Sequence, residues 1–175
     1  MKVVDIHEEI DSTLVLLQNS LKAKQNYSAI KFIKLYSQLP KVECYAGEFK
    51  QALMNILTNA VEACDQHNLK VNLEATLPQS AKIWIRTTRQ ESGAIAISIK
   101  DNGTGITPWV EQHLFDPFFS TKSTTQNIGF GLSVSYQIIV ERHGGKLNCV
   151  SSVEQGAEFV IELSPQAIQE AELTV

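Results

Sequence analysis

The stretch Asp101-Asn102-Gly103-Thr104-Gly105-Ile106 sets one carboxylate at the mouth of a turn too rich in glycine to be held by side chains. Before it runs Ala94-Ile95-Ala96-Ile97-Ser98-Ile99-Lys100, apolar and β-branched enough to form a strand. A strand that ends this way offers a fixed acceptor beside exposed backbone, where a flat heterocycle can lie close. Asp, Asn and Gly are also the ordinary residues of turns, so this stretch alone leaves both readings open.

Asn55 and Asn59 are four residues apart in a helical pattern, which stacks their side chains on one face. Their neutral oxygens can ligate Mg²⁺, a hard cation that keeps several waters and bridges to phosphates. An isolated pair of this kind more often simply faces solvent. Asn59-Ala60-Val61-Glu62-Ala63 then continues with small residues that permit close approach by another element. Phe115-Asp116-Pro117-Phe118-Phe119-Ser120-Thr121-Lys122 puts three aromatics in a segment without period. Local core packing is the first reading of them, and a hinge patch anchoring a mobile lid the second. Lys122 is either solvated or within reach of a phosphate. Gly129-Phe130-Gly131-Leu132-Ser133 opens a helix whose exposed N–H groups suit an anion, although glycine can equally serve a turn.

The elements that must position these residues follow from periodicity. Ile10, Leu14, Leu17 and Leu21 predict a helix over His7–Leu21 with Asp5 as N-cap, and Ile30–Tyr36 reads as a strand closed by Leu39-Pro40. The strongest helix spans Ala46–Gln66, with Phe49, Leu53, Ile56, Leu57, Ala60, Val61 and Cys64 on a broad apolar face. Lys82–Arg89 and Ala94–Lys100 form a hairpin about Glu91-Ser92-Gly93, and residues 101–128 are rich in loop. A helix over Gly129–His143 is capped by Gly144-Gly145, and Lys146–Ser151 with Ala157–Leu163 makes a last hairpin about Glu154-Gln155-Gly156. From Ser164 the tail is polar and acidic, and it is expected to be frayed or weakly helical. This order predicts an α/β fold: a two-layer sandwich with a mixed, mostly antiparallel sheet and helices on one face. The hairpins exclude a Rossmann arrangement, and no GxxxxGK[ST] is present.

With 175 residues, 43% hydrophobic and a net charge of −4, the chain suits one soluble domain with a proper core. No Lys/Arg block marks a nucleic-acid or anionic-membrane footprint, and no apolar run approaches the ~20 residues that cross a bilayer. The opening residues are not expected to form a signal peptide. Cys44, Cys64 and Cys149 are far apart and read as reduced thiols, so a cytoplasmic location is expected.

Taken in order, Asn55-x-x-x-Asn59-Ala, Asp101-Asn102-Gly103-x-Gly105-Ile106, Phe115-Asp116-Pro117-Phe118-Phe119 and Gly129-x-Gly131-Leu132-Ser133 resemble the N, G1, F and G2 boxes of the catalytic ATP-binding domain of two-component sensor histidine kinases. Tyr136–Val140, His143-Gly144-Gly145 and Gly156-Ala157-Glu158-Phe159 extend the likeness, which covers about residues 1–165 as one domain and leaves 166–175 as a tail. The resemblance implies the Bergerat fold, with ATP and Mg²⁺ as cofactors. Asp101 would accept from the adenine amine, with Gly103, Gly105 and Ile106 beside the base. Asn59 would ligate Mg²⁺, while Asn55 would support the phosphates or the metal-bound water and share the catalytic role with Lys122. Gly129 and Gly131 would cradle phosphate, with Phe130 and Leu132 alongside. Phe119 and Lys122 would contact nucleotide from a lid over about 116–128. In hydrolysing relatives a glutamate stands where Asn55 does here; an amide is no general base, so the implied activity is phosphoryl transfer rather than hydrolysis. The implied partners are a histidine-bearing dimerisation domain of the parent kinase and a response-regulator receiver domain. The isolated domain is expected to be a monomer, with no nucleic-acid or direct membrane contact, although the parent protein can be membrane-anchored.

Some positions depart from the family pattern. Asn127 stands where the G2 box usually begins with glycine, and Asn tolerates the left-handed turn. Phe130 replaces a commoner aliphatic residue and is read as core filling, and Ala157 stands where many relatives carry Thr. His7-Glu8-Glu9-Ile10-Asp11-Ser12 superficially matches a phosphoacceptor box with Ser12 in place of Pro, yet the short span to Asn55 leaves no room for two long dimerisation helices. His7 is therefore expected to be a surface histidine, and His67, His113 and His143 structural. The chain reads as a catalytic fragment of a larger kinase. A degenerate nucleotide-binding or docking module, and a Bergerat ATPase or serine kinase, stand as the alternative readings.

Overall fold

The computed structural model describes residues 1–22, 30–73, 80–117, 119 and 131–163. Strand β1 (Lys2–Val4) leads into helix α1 (Ile6–Lys22), followed by β2 (Lys31–Tyr36), β3 (Val42–Cys44) and the long helix α2 (Ala46–Leu73). Strands β4 (Lys82–Arg89) and β5 (Ile95–Asp101) precede a short helix α3 (Pro108–His113). Helix α4 (Gly131–Tyr136) widens into a π-helical turn over Gln137–Arg142, and β6 (Lys146–Ser152) and β7 (Gly156–Leu163) follow.

The main sheet runs β2-β4-β5-β7-β6, with β2 parallel to β4 and every other pairing antiparallel. This is the mixed sheet expected from the two hairpins. Period-two alternation decides which face is dry. Ile83, Ile85 and Thr87 of β4, Ile95, Ile97 and Ile99 of β5, and Ala157, Phe159, Ile161 and Leu163 of β7 are all buried. Helix α2 lays Phe49, Ala52, Leu53, Ile56, Leu57 and Ala60 into the same core, and Ile10, Leu14, Leu17 and Leu21 of α1 complete it. Asp5 caps α1 as expected: its Oδ1 accepts from the His7 amide at 2.8 Å.

Several boundaries differ from the sequence reading. α2 runs on past Gln66 to Leu73. β1 and β3 form an additional two-stranded antiparallel sheet that three-residue segments are too short to announce. The stretch after Asp101 is not all loop, because Thr107 caps α3 by accepting from the Val110 amide at 3.4 Å and Pro108 opens it. The helix expected over 129–143 is split, since the ladder slips to π-helical spacing after Tyr136. It ends as expected, with the amides of Gly144 and Gly145 donating to Val140 and Ile139. The tail from 164 lies outside the described residues.

The dry seam between α2 and the sheet carries the stability. Leu57, fully buried at its centre, should cost about 2–5 kcal/mol when cut to alanine. A urea melt of Leu57→Ala with its midpoint within error of the wild type would contradict this packing.

Candidate functional site

Asp101 sits where it does because β5 keeps its alternation to the last residue: Ile95, Ile97, Ile99 and then Asp101 point into the core. The strand thus buries a carboxylate at the position a fourth aliphatic residue would occupy, and Asp101 is 1% exposed. Its Oδ1 accepts from the amides of Gly103 at 2.8 Å and Ala157 at 3.4 Å. Its Oδ2 is buried without any hydrogen-bond partner. Burial pushes the carboxyl up to about 6, against the lowering effect of the backbone amides of Gly103, Ala157 and Asp101 itself.

Asp101 belongs to the wall of a cavity of about 240 Å³. α2 contributes Asn59, Glu62, Ala63 and Gln66; the loop after β5 contributes Thr104, Gly105, Ile106 and Thr107; Val110 and Leu114 come from α3 and its end, Leu132 from α4, and Ala157 and Phe159 from β7. The lining joins apolar side chains from Ile106, Val110, Leu132 and Phe159 to polar ones from Asn59, Glu62, Gln66 and Thr107, and it includes Asp101, whose Oδ2 lacks a partner. Gly105 permits this shape: it has φ 68°, and a Cβ there would lie 2.0 Å from the Ser152 carbonyl.

The asparagines serve two different purposes. Asn55 Nδ2 donates to the Gly131 carbonyl at 2.9 Å and to Ser135 Oγ at 3.3 Å, and Ser135 Oγ donates to the same carbonyl at 2.8 Å. Asn55 therefore fastens the first turn of α4 to α2, and its amide donates where a general base would have to accept. Asn59 Nδ2 donates to the Asn55 carbonyl at 2.9 Å, which leaves its Oδ1 without a partner among the described residues. An unpaired amide oxygen is what Mg²⁺ would need from the protein. No group of three His, Cys, Asp or Glu among the described residues could hold a metal by itself. The donor set thus fits a cation carried mainly by phosphates and water.

Of the expected site residues, Asn59, Asp101, Gly105, Ile106 and Leu132 line the cavity, with Asn55 and Gly131 bonded to each other beside it. Gly103 is not on the wall; its amide holds Asp101 from behind. Phe119 is also away from the wall, packed edge-on to Trp109 at 5.6 Å and beside His113. Lys122, Gly129 and Phe130, and most of the lid over 116–128, lie outside the described residues. The sequence reading missed Glu62, Gln66, Thr107 and Val110, which periodicity shows only as polar or partly apolar helix and loop positions.

His7, expected at the surface, is half-buried instead, and His113 and His143 each have a polar partner. His7 Nε2 lies 2.9 Å from Thr87 Oγ1 and its ring stacks on Tyr36, while Tyr45 donates its amide to His143 Nε2 at 3.0 Å. His113 pairs with Asp116 at 2.8 Å. Burial raises the thiols of Cys44, Cys64 and Cys149 to about 11, 12 and 12, which keeps them protonated and unreactive.

The Asp101 shift carries a stability consequence with a definite sign. A folded-state value of about 6 above an ordinary 3.8 means the native state holds the proton longer, so stability present below pH 4 is lost as pH rises through 6. The loss amounts to about 3 kcal/mol for the empty chain. Urea melts from pH 4 to 7 should show this fall in the wild type and lack it in Asp101→Asn; parallel curves would contradict the buried, ionising carboxylate.

The model of the histidine kinase-, DNA gyrase B- and HSP90-like ATPases matches residues 45–167. The signal transduction histidine-protein kinase AtoS of Escherichia coli (strain K12) is 31% identical over 169 residues, covering 95% of this chain and 24% of AtoS. The chain thus spans about a quarter of that relative. Among solved structures, the catalytic domain of histidine kinase ThkA superposes with a TM-score of 0.72 at 25% identity, covering 95% of this chain and 99% of that one. ThkA in complex with the response regulator protein TrrA superposes at 0.69 with 24% identity, covering 94% of this chain and 42% of that one. With its sheet, cavity and buried carboxylate in this arrangement, the chain belongs to the histidine kinase-, DNA gyrase B- and HSP90-like ATPase family.

Proposed function

We propose that this chain is the catalytic ATP-binding domain of a sensor histidine kinase, with residues 1–165 acting as one unit. It transfers the γ-phosphoryl group of ATP to a histidine on a separate dimerisation domain, from which a receiver domain takes it. The observation that carries this reading is the unpartnered Oδ2 of Asp101, a residue that lines the cavity between α2, α3 and β7. An exocyclic amine is a donor of the right kind and size for it. A hydrogen bond to a charged acceptor contributes about 1.5–3 kcal/mol, enough to prefer adenine to a purine with a carbonyl there.

The remaining roles follow from position. Apolar walls from Ile106, Val110, Leu132 and Phe159 flank the base and exclude water from the Asp101 bond. The start of α4 presents backbone toward the phosphates, braced by Asn55. Asn59 Oδ1 would hold Mg²⁺, whose contribution when bound is to neutralise charge on the transferring phosphates. Since Asn55 donates to Gly131 and cannot take a proton, no residue at that place activates water, and the nucleotide is kept for the acceptor histidine. Lys122, Phe119, Gly129 and Phe130 are assigned to the phosphate side and lid by their motif positions. The AtoS and ThkA likenesses support the kinase reading over a gyrase-type ATPase. Three free thiols, Cys44 and Cys64 buried and Cys149 half-buried, suit work in the cytoplasm.

Calorimetric titration tests the site. Asp101→Asn should weaken Mg-ADP binding by about tenfold to a hundredfold, and unchanged affinity would remove the central contact. Mg²⁺ should give no binding heat with the nucleotide-free protein, its presence should tighten ADP binding to the wild type, and Asn59→Ala should shrink that gain. Incubation with γ-labelled ATP and a dimerisation domain supplied in trans should label the domain's histidine. Steady phosphate release with no labelling would replace the kinase by an ATPase.

A further inference from the structure

The loop from Asp101 to Ile106 is gripped from one side by the turn between β6 and β7, whose residues have no part in the chemistry above. Resting on the nucleotide reading of the cavity, we infer that Ser151 is a positioning residue for purine recognition: its hydroxyl locks the Ile106 end of the loop to the β6–β7 turn and so fixes where Asp101 meets the base.

Ser151 lies at the inner end of β6, opposite Ala157. Its Oγ accepts from the Ile106 amide at 2.8 Å and donates to the Gly156 carbonyl at 3.0 Å. A group that accepts and donates at once is needed here, and among small side chains only a hydroxyl does both. The turn thereby holds one side of a loop whose other side is held by Asn102, bonded to Lys82 and Ser80, and by Thr104, whose amide donates to the Ala63 carbonyl. The same turn makes a second bond, from the Glu154 amide to the Thr104 carbonyl at 2.7 Å. Glu154 sits at φ 64°, a conformation that residues with a Cβ rarely adopt, and its amide faces Thr104 in that state. Gly156 completes the contact: a Cβ there would lie 1.9 Å from the Asp101 carbonyl oxygen, so the two backbones touch. The next amide, Ala157, reaches Asp101 Oδ1 itself.

The grip thus engages the loop at Asp101, Thr104 and Ile106, and the last two line the cavity with Asp101. Ser151 does not line it, and it acts through them. Losing the hydroxyl strands the Ile106 amide and the Gly156 carbonyl together and lets the loop drift relative to β7. Drift of the acceptor blurs the distinction between an amine and a carbonyl on the base more than it weakens contact with the apolar walls.

The test is calorimetry of the whole chain with Mg-ADP and Mg-GDP. The wild type should bind ADP and prefer it to GDP. Ser151→Ala should lose roughly tenfold in ADP affinity and narrow the preference over GDP, while Ser151→Thr, which keeps the hydroxyl, should retain both. A packing role alone would lower the melting temperature or the binding-competent fraction and leave the ratio of the two affinities unmoved. Wild-type affinity and selectivity in Ser151→Ala overturn the positioning role while the nucleotide reading stands; a wild type that binds no ADP overturns that reading instead. Amide exchange in the wild-type chain tests the grip without any variant. The Ile106 and Glu154 amides should exchange as slowly as those of β7, and fast exchange at both overturns it.

Discussion

The structure depends on keeping one carboxylate dry. Asp101 occupies the inward phase of a strand whose preceding inward positions are all isoleucine, and only part of its hydrogen-bonding capacity is met by the protein. An unpaired buried acceptor is costly, and the same burial raises the proton affinity of Asp101. A buried acceptor with spare capacity in a residue that lines a cavity is a candidate for completion by a ligand. The empty domain is therefore less stable than it would be with a neutral residue there, and binding a donor restores the difference.

The two ends of the cavity are built by different means. At the Asp101 end the backbone does the holding, through amides of Gly103 and Ala157 and the turn between β6 and β7. At the other end side chains do it: Asn55 and Ser135 converge on the Gly131 carbonyl and tie the start of α4 to the middle of α2. Asn59, one turn further along α2, keeps its oxygen unengaged beside the same cavity. A single helix thus sets the spacing between the Asn59 amide oxygen and the start of α4. At the end of the π-helical turn that continues α4, Arg142 forks onto Glu48 of α2 while His143 accepts from the amide of Tyr45 just before it, so this helical segment is pinned to α2 at both ends.

How much of this was legible varies with the range of the interaction. Asp101 was readable because the isoleucine alternation before it is local, and Asn55 and Asn59 because four residues is one helical turn. The hairpins, the cap at Asp5 and the end of the last helix at Gly144-Gly145 were readable for the same reason. β1 and β3 were not, since three residues show no period. Helix α3 was missed although Thr107-Pro108 is an N-cap followed by an N1 proline, a signal that was present and outweighed by the surrounding glycines. The π-helical turn and the Ser151 contact leave no local mark. Both depend on which residues the sheet register and the α2 packing bring together across some 45 positions or more.

Structure determination of the chain with Mg²⁺ and a non-hydrolysable ATP analogue tests the central claim most directly. The adenine amine should lie within hydrogen-bond distance of Asp101 Oδ2, and Asn59 Oδ1 should face the metal on the triphosphate. A nucleotide bound elsewhere, or a base in the cavity with Oδ2 still unpartnered, would contradict it.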